Sequence, residues 1–171
     1  MPNISNIFHS VLFADDTTLS FRGPNLAELG QLCNEQLAEF GRWSLANRLS
    51  INTDKSFYNI VTNLSNEPVS FSINLNGCEL SRNRSITYLG IVIDEQLKFN
   101  FHINFICKKI SKSIGIMNKI KNYVPYSTLK SIYYALVYPY LNYCNLVWGG
   151  TFPTHLHPLL ILQKKSITCD E

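Results

Sequence analysis

Asp15 and Asp16 stand side by side between two runs, 7–14 (IFHSVLFA) and 17–21 (TTLSF), that are rich in β-branched and aromatic residues. Such runs around a two-residue break predict a β-hairpin with the acids at its tip. Adjacent carboxylates repel, and the arrangement is costly unless a cation neutralises them. Mg²⁺ suits paired carboxylate oxygens, because it takes one or two carboxylates and completes its shell with substrate phosphates. In phosphoryl transfer, two such ions about 3.5–4 Å apart steady the attacking and leaving oxygens. The plainer alternative is a solvated turn. Asp-Asp lacks the glycine that a tight hairpin turn favours, so turn chemistry alone does not explain the pair.

No other cluster points as clearly to chemistry. The five cysteines (33, 78, 107, 144 and 169) are scattered, odd in number and without a CxxC pair, and MPNISNIFHS does not read as a secretory leader. Reduced thiols in an intracellular compartment are therefore expected. His155-x-His157 near Cys144 and Cys169 fits no standard zinc-finger spacing. Pro139, Asn142 and Asn145 interrupt the most apolar stretch, 132–148, so no membrane span is expected and the chain reads as soluble.

The elements that must position the acid pair follow from periodicity. Pro24-Asn25 with Glu28 three residues on predicts a capped helix start, and Leu26, Leu29, Cys33, Leu37, Phe40 and Trp43 supply its buried stripe. That helix should end before Leu49, ahead of a candidate strand over 57–61. Alternation over 69–75 (VSFSINL), Asn76-Gly77 and a return over 78–82 predict a second hairpin. The nearly all-apolar run 86–93 (ITYLGIVI) predicts a strand buried on both faces.

From about residue 100 the period becomes helical. Ile103, Ile106, Ile110, Ile114 and Met117 form one stripe, with Lys108, Lys112 and Lys119 opposite. Pro125 should break this helix, and Ser127 should cap a second. Its stripe would be Leu129, Ile132, Tyr133, Leu136, Tyr140, Leu141, Cys144 and Trp148, kinked at Pro139 and ended by Gly149-Gly150, with a weak helical segment around 159–165 beyond. Residues 96–169 hold nine lysines and no acidic residue, whereas 1–95 are net acidic. An acid-free lysine surface favours a polyanionic partner such as nucleic acid. The expected fold class is α+β, an α+β lobe over 1–95 followed by a basic helical lobe over 96–171.

FADD at 13–16 resembles the active-site hairpin of reverse transcriptases. Trp43-x-x-x-Asn47-x-Leu49-x-Ile51-Asn52-x-x-Lys55 resembles the helix, strand and lysine that follow it in retroelement polymerases. Tyr88-Leu89-Gly90-x-x-Ile93-Asp94-x-x-Leu97 is similar to the palm-to-thumb segment of non-LTR (LINE-type, jockey-like) retrotransposon reverse transcriptases. Leu141-x-Tyr143 through Trp148-Gly149 and Leu162-Gln163-Lys164-Lys165 resemble the helical region beyond it.

The resemblance implies a C-terminal palm fragment, an antiparallel sheet with one long helix, over 1–95, and a helical thumb with the start of a connector over 96–171. Asp15 would ligate catalytic Mg²⁺ (or Mn²⁺), with Asp16 supporting the metal site or primer end. Lys55 would assist the departing pyrophosphate, where negative charge develops. Tyr88, Leu89 and Gly90 would grip the primer. Lys108, Lys112 and Lys119 would hold phosphates of an RNA template and DNA primer without reading sequence. Trp43 and Asn47 are expected to be structural. Deoxynucleoside triphosphates would be substrates of the full-length enzyme. A further metal-binding Asp and the fingers lie upstream in this family, and 1–14 contain no acid, so little polymerase activity is expected of the chain alone. The alternative is a non-catalytic nucleic-acid-binding remnant that uses only the lysines.

Overall fold

A computed structural model describes residues 8–62 and 71–167, so positions 69 and 70 of the expected second hairpin, and Cys169, lie outside the described residues. The fold is mixed α and β, in two compact units divided between Asn83 and Arg84.

In the first unit, β1 (His9–Phe13) and β2 (Asp16–Ser20) pair antiparallel from His9↔Ser20 to Phe13↔Asp16. Helix α1 (Leu26–Ala46) starts where Asn25 Oδ1 accepts the Ala27 N–H at 2.9 Å, a cap that contributes about 1 kcal/mol. Glu28 completes the start by accepting from Asn25 Nδ2 at 3.2 Å. The helix stops at Asn47, whose Nδ2 donates to the Trp43 carbonyl at 2.8 Å. Leu37 and Phe40 of the expected stripe are buried, with Cys33 and Trp43 half-buried beside them. They pack on Ile73, Leu75 and Leu80.

Ile73 and Leu75 are buried while Ser72 and Asn74 are exposed, so the alternation is real, although regular strand is confined to β4 (Asn74–Leu75). Asn76 (φ 53) and Gly77 (φ 80) form the turn to β5 (Cys78–Glu79), the left-handed pair that Asn-Gly favours. The expected strand over 57–61 shortens to β3 (Phe57–Tyr58), which pairs in parallel with β6 (Ser81–Arg82).

The second unit departs more from expectation. The run 86–93 is not one strand but a hairpin, β7 (Ser85–Tyr88) and β8 (Ile91–Asp94), reversing at Leu89 (φ 47) and Gly90 (φ 81). A continuous apolar run hides a two-residue turn when one of the two is glycine. Helix α2 (Asn100–Ile120) buries all five residues of its expected stripe. Each buried isoleucine contributes roughly 1.5–3 kcal/mol through apolar area removed from water.

The expected second helix is three: α3 (Tyr126–Leu136), α4 (Tyr138–Asn142) and α5 (Asn145–Trp148). The cap position of α3 is Pro125, not Ser127. Pro139 cannot donate into a continuing helix, so it sits in the first turn of α4, where no donor is needed. The break shifts the buried face: Val137 is fully buried whereas Leu136 is 40 % exposed. Helix α6 (Pro153–Ile167) is longer than the segment expected over 159–165, and its Leu159 joins the core built on α2. Among the described residues, no helix is long and apolar enough to cross a membrane.

Candidate functional site

The acid pair lies at a hairpin tip, with a register that differs from expectation. Asp16 is the first residue of β2, paired with Phe13, so the turn residues are Ala14 and Asp15 rather than Asp15 and Asp16. Ala14 takes φ 51, a left-handed conformation disfavoured for a residue with a Cβ. Strain of this kind concentrates at functional sites, because the surroundings must over-determine it. Both carboxylates are exposed, as are Leu12 and Phe13 beside them. At its base the hairpin is anchored by Leu19 on the α1 core and by the Phe8–Phe21 ring pair, with centroids 5.5 Å apart.

Two carboxylates offer four hard oxygens, which is a fitting partial donor set for Mg²⁺ where phosphates complete the shell. They do not make a complete protein cage: among the described residues, no group of three or more His, Cys, Asp or Glu is placed to hold a metal ion.

Lys55 ends a single 3₁₀ turn, Thr53–Lys55, on the same unit. Asn52 Oδ1 accepts the Lys55 N–H at 3.2 Å and the Asn52 carbonyl accepts from Ser56 Oγ at 2.8 Å. The backbone is thereby fixed while the lysine itself is exposed. Trp43 and Asn47 have the structural roles expected of them: Trp43 stacks on Phe40 at 6.2 Å, and Asn47 closes α1.

On the second unit, Tyr88 ends β7, and Leu89-Gly90 form the exposed turn of the β7–β8 hairpin. The Leu89 carbonyl accepts from Tyr143 Oη at 2.7 Å. Asp94 ends β8 and is buried. Its Oδ1 accepts the N–H groups of Gln96 (3.1 Å) and Lys98 (3.0 Å), and its Oδ2 accepts that of Phe99 (2.7 Å). This carboxylate organises the turn into α2. The same turn is held from outside by Thr151 Oγ1, which donates to the Lys98 carbonyl at 2.6 Å.

Lys108, Lys112 and Lys119 are exposed and fall within about 40° of one another around α2, along roughly 16 Å of its axis. Asn104, Cys107, Lys108, Ser111 and Lys112 line an open groove of about 540 Å³. Gly115 lies on the same stripe, and a Cβ built there meets nothing within 4 Å. A glycine inside a helix is a cost with no packing contact to explain it here. Lys109 is directed elsewhere, over the Phe105 ring at 5.4 Å.

The structure thus brings together Asp15 with Asp16, and Lys108 with Lys112 and Lys119; Lys55 and the Tyr88–Gly90 turn stand on separate elements. Sequence reasoning gave no part to His102. It is buried, its Nδ1 accepts the Val92 N–H at 3.3 Å, and its ring meets the Trp148 indole edge-on at 5.7 Å. Burial holds its pKa below the ordinary histidine value. The signal for it was its place beside Ile103 on the buried stripe of α2.

Among curated proteins, the chain is similar to the RNA-directed DNA polymerase from mobile element jockey of Drosophila funebris, 28% identical over 158 residues that cover 91% of this chain and 17% of that protein. The jockey polymerase of Drosophila melanogaster is 26% identical over the same extent. The probable RNA-directed DNA polymerase from transposon BS of Drosophila melanogaster is 23% identical, again over 91% of this chain. The chain spans 17% of the length of these relatives. No family model matches it, and no solved structure matches it. The likeness to non-LTR retrotransposon polymerases read from its motifs therefore holds over nine-tenths of its length.

Proposed function

We propose that the chain is the palm-and-thumb portion of an RNA-directed DNA polymerase of a non-LTR retrotransposon. The observation that carries this reading is the match to jockey-type polymerases over 91% of the chain; FADD, the Lys55 segment and Tyr88-Leu89-Gly90, in that order along the sequence, support it. In this reading Asp15 and Asp16 are the metal-binding and catalytic acids, presented from a paired strand end. Mg²⁺ (or Mn²⁺) held there would supply neutralisation of phosphate charge during nucleotidyl transfer.

The chain's own groups do the rest. Lys55, on a backbone fixed by Asn52, meets the charge that develops on the leaving pyrophosphate. Tyr88, Leu89 and Gly90 contact the primer strand. Lys108, Lys112 and Lys119 hold the backbone of an RNA template paired with a DNA primer, and Gly115 lets the duplex approach the helix between them. Lysine contacts to phosphates read no sequence, which suits an enzyme that must accept any template. A third acidic ligand and the nucleotide-binding groups come from elsewhere in a complete polymerase, so the chain by itself should extend no primer.

Two measurements test this. Binding of a fluorescent RNA–DNA hybrid should weaken steeply with salt, and Lys108→Ala with Lys112→Ala should lower the logarithmic salt slope by about one unit per lysine. Joined behind the fingers and upstream palm of a jockey-type polymerase, the chain should support primer extension that Asp15→Ala abolishes. Extension indifferent to Asp15→Ala and Asp16→Ala would refute the catalytic assignment. Hybrid binding that survives both substitutions with no extension would mark a non-catalytic binding remnant.

A further inference from the structure

Tyr143 sits at a corner between two short helices. It caps α4 with φ −62 and ψ 115, and Cys144 then turns the chain with φ 50 before α5 begins. All three polar groups of Tyr143 are engaged there. Its N–H donates to the Pro139 carbonyl at 2.9 Å, its carbonyl accepts from Trp148 Nε1 at 2.9 Å, and its hydroxyl donates to the Leu89 carbonyl at 2.7 Å. Tyr143 is 53 % exposed, yet its hydroxyl is committed to a backbone group 54 residues away in sequence. Its ring also closes over Gly90, where a Cβ would stand 3.6 Å from Tyr143 Cε1.

Leu89 occupies the left-handed region, which a leucine adopts only where its surroundings impose it. Tyr143 is one such imposition. A second runs through His102, whose ring takes the Val92 N–H of β8 and rests against Trp148, the same side chain that holds the Tyr143 carbonyl. The β7–β8 hairpin is thus gripped at its tip and along its second strand, and both grips meet at a buried indole.

We propose that Tyr143 is a positioning residue for primer contact: its hydroxyl fixes the Leu89-Gly90 turn in the conformation that meets the primer strand. The proposal rests on the reading of Tyr88-Leu89-Gly90 given above and adds the residue that holds this turn in place. Tyr143 does not touch substrate; it acts through the turn.

Tyr143→Phe is the decisive variant, because it keeps the ring over Gly90 and removes only the hydroxyl. Three readouts on the whole chain separate the outcomes. Amide hydrogen exchange at 89–92 in the free protein should rise threefold to tenfold, the effect of losing one hydrogen bond, while exchange along α2 stays unchanged and shows an intact fold. With an RNA–DNA hybrid whose primer carries 4-thiothymidine at its 3′ end, photo-cross-linking to the 85–94 peptide should fall by a similar factor. Overall hybrid affinity and its salt slope, set by the α2 lysines, should change less than twofold. Unchanged exchange at 89–92 would overturn the clamp. Raised exchange with undiminished cross-linking would overturn positioning and leave the primer-contact reading standing. A wild-type chain that binds no hybrid, or cross-links only outside 85–94, would instead sink the primer-contact reading and this proposal with it.

Discussion

Replacing Asp94 with alanine removes an acceptor shared by three backbone amides, and the structure sets the size of the loss. The Phe99 N–H lies 2.7 Å from Oδ2 at a buried residue, so leaving it unpaired costs about 1–3 kcal/mol. Gln96 and Lys98 are exposed, and water can replace Oδ1 at their amides, so each of those bonds is worth roughly 0.5–1 kcal/mol. The second unit should therefore lose about 2–5 kcal/mol. Asp94→Asn keeps one carbonyl oxygen and either the pair of bonds or the single one, so it should cost about half as much. Urea unfolding in a Trp43→Phe background, with fluorescence then reporting the buried Trp148, measures both. A loss below about 0.5 kcal/mol for Asp94→Ala would refute the account of this carboxylate as the organiser of the turn into α2. Equal losses for Asp94→Ala and Asp94→Asn would show that charge, not acceptor count, is what matters.

Because burial lowers the His102 pKa below its usual 6.5, the unfolded chain binds this proton more readily than the folded one. Its contribution to stability is whole above about pH 6.5 and drains away as pH falls toward the folded value; urea midpoints at pH 7.5, 6 and 5 should show this loss, and His102→Asn should flatten it. Burial pushes the Cys33 thiol up to about 11 and raises that of Cys107 as well. Iodoacetamide at pH 8, followed by peptide mass spectrometry, should therefore label exposed Cys78 and Cys144 well before those two. Gly115→Ala should stabilise by about 0.5–1 kcal/mol because its new methyl meets open space. Gly30→Ala should destabilise in urea melts, because its Cβ would lie 2.5 Å from the Phe71 ring. Ile110→Ala, at a side chain with no exposure, should cost about 2–5 kcal/mol in urea melts.

Long amphipathic elements were legible because their signal repeats. The α1 cap at Asn25, its stop at Asn47 and the five-residue stripe of α2 all follow from local rules that the tertiary structure does not override. Short β elements were less so. In 86–93 the side chains are apolar on both sides of the turn, so nothing but Gly90 marks it, and the pairing of Phe57-Tyr58 with Ser81-Arg82 has no local signature. The run 127–148 departs from a single kinked helix because Pro139, with no N–H to donate, starts a new helix instead of bending an old one. At the site, residue identity was readable from motif order, whereas hydrogen-bond partners were not. The Tyr143–Leu89 bond joins residues far apart in sequence, and the three amides on Asp94 converge because of the path of the turn, which no local residue pattern encodes.

The hairpin that carries Asp15 and Asp16 behaves mechanically as a cantilever. Its root is pinned at Leu19 and at the Phe8–Phe21 pair, and the tip lies four residues beyond Leu19, about 13 Å out at the rise of a strand. A rocking of about 10° at the root sweeps the carboxylates through about 2 Å, several times the roughly 0.5 Å tolerance of a preorganised reaction centre. Stiffness at the acids is therefore a property lent from outside the ribbon, by whatever comes to cover Leu12 and Phe13.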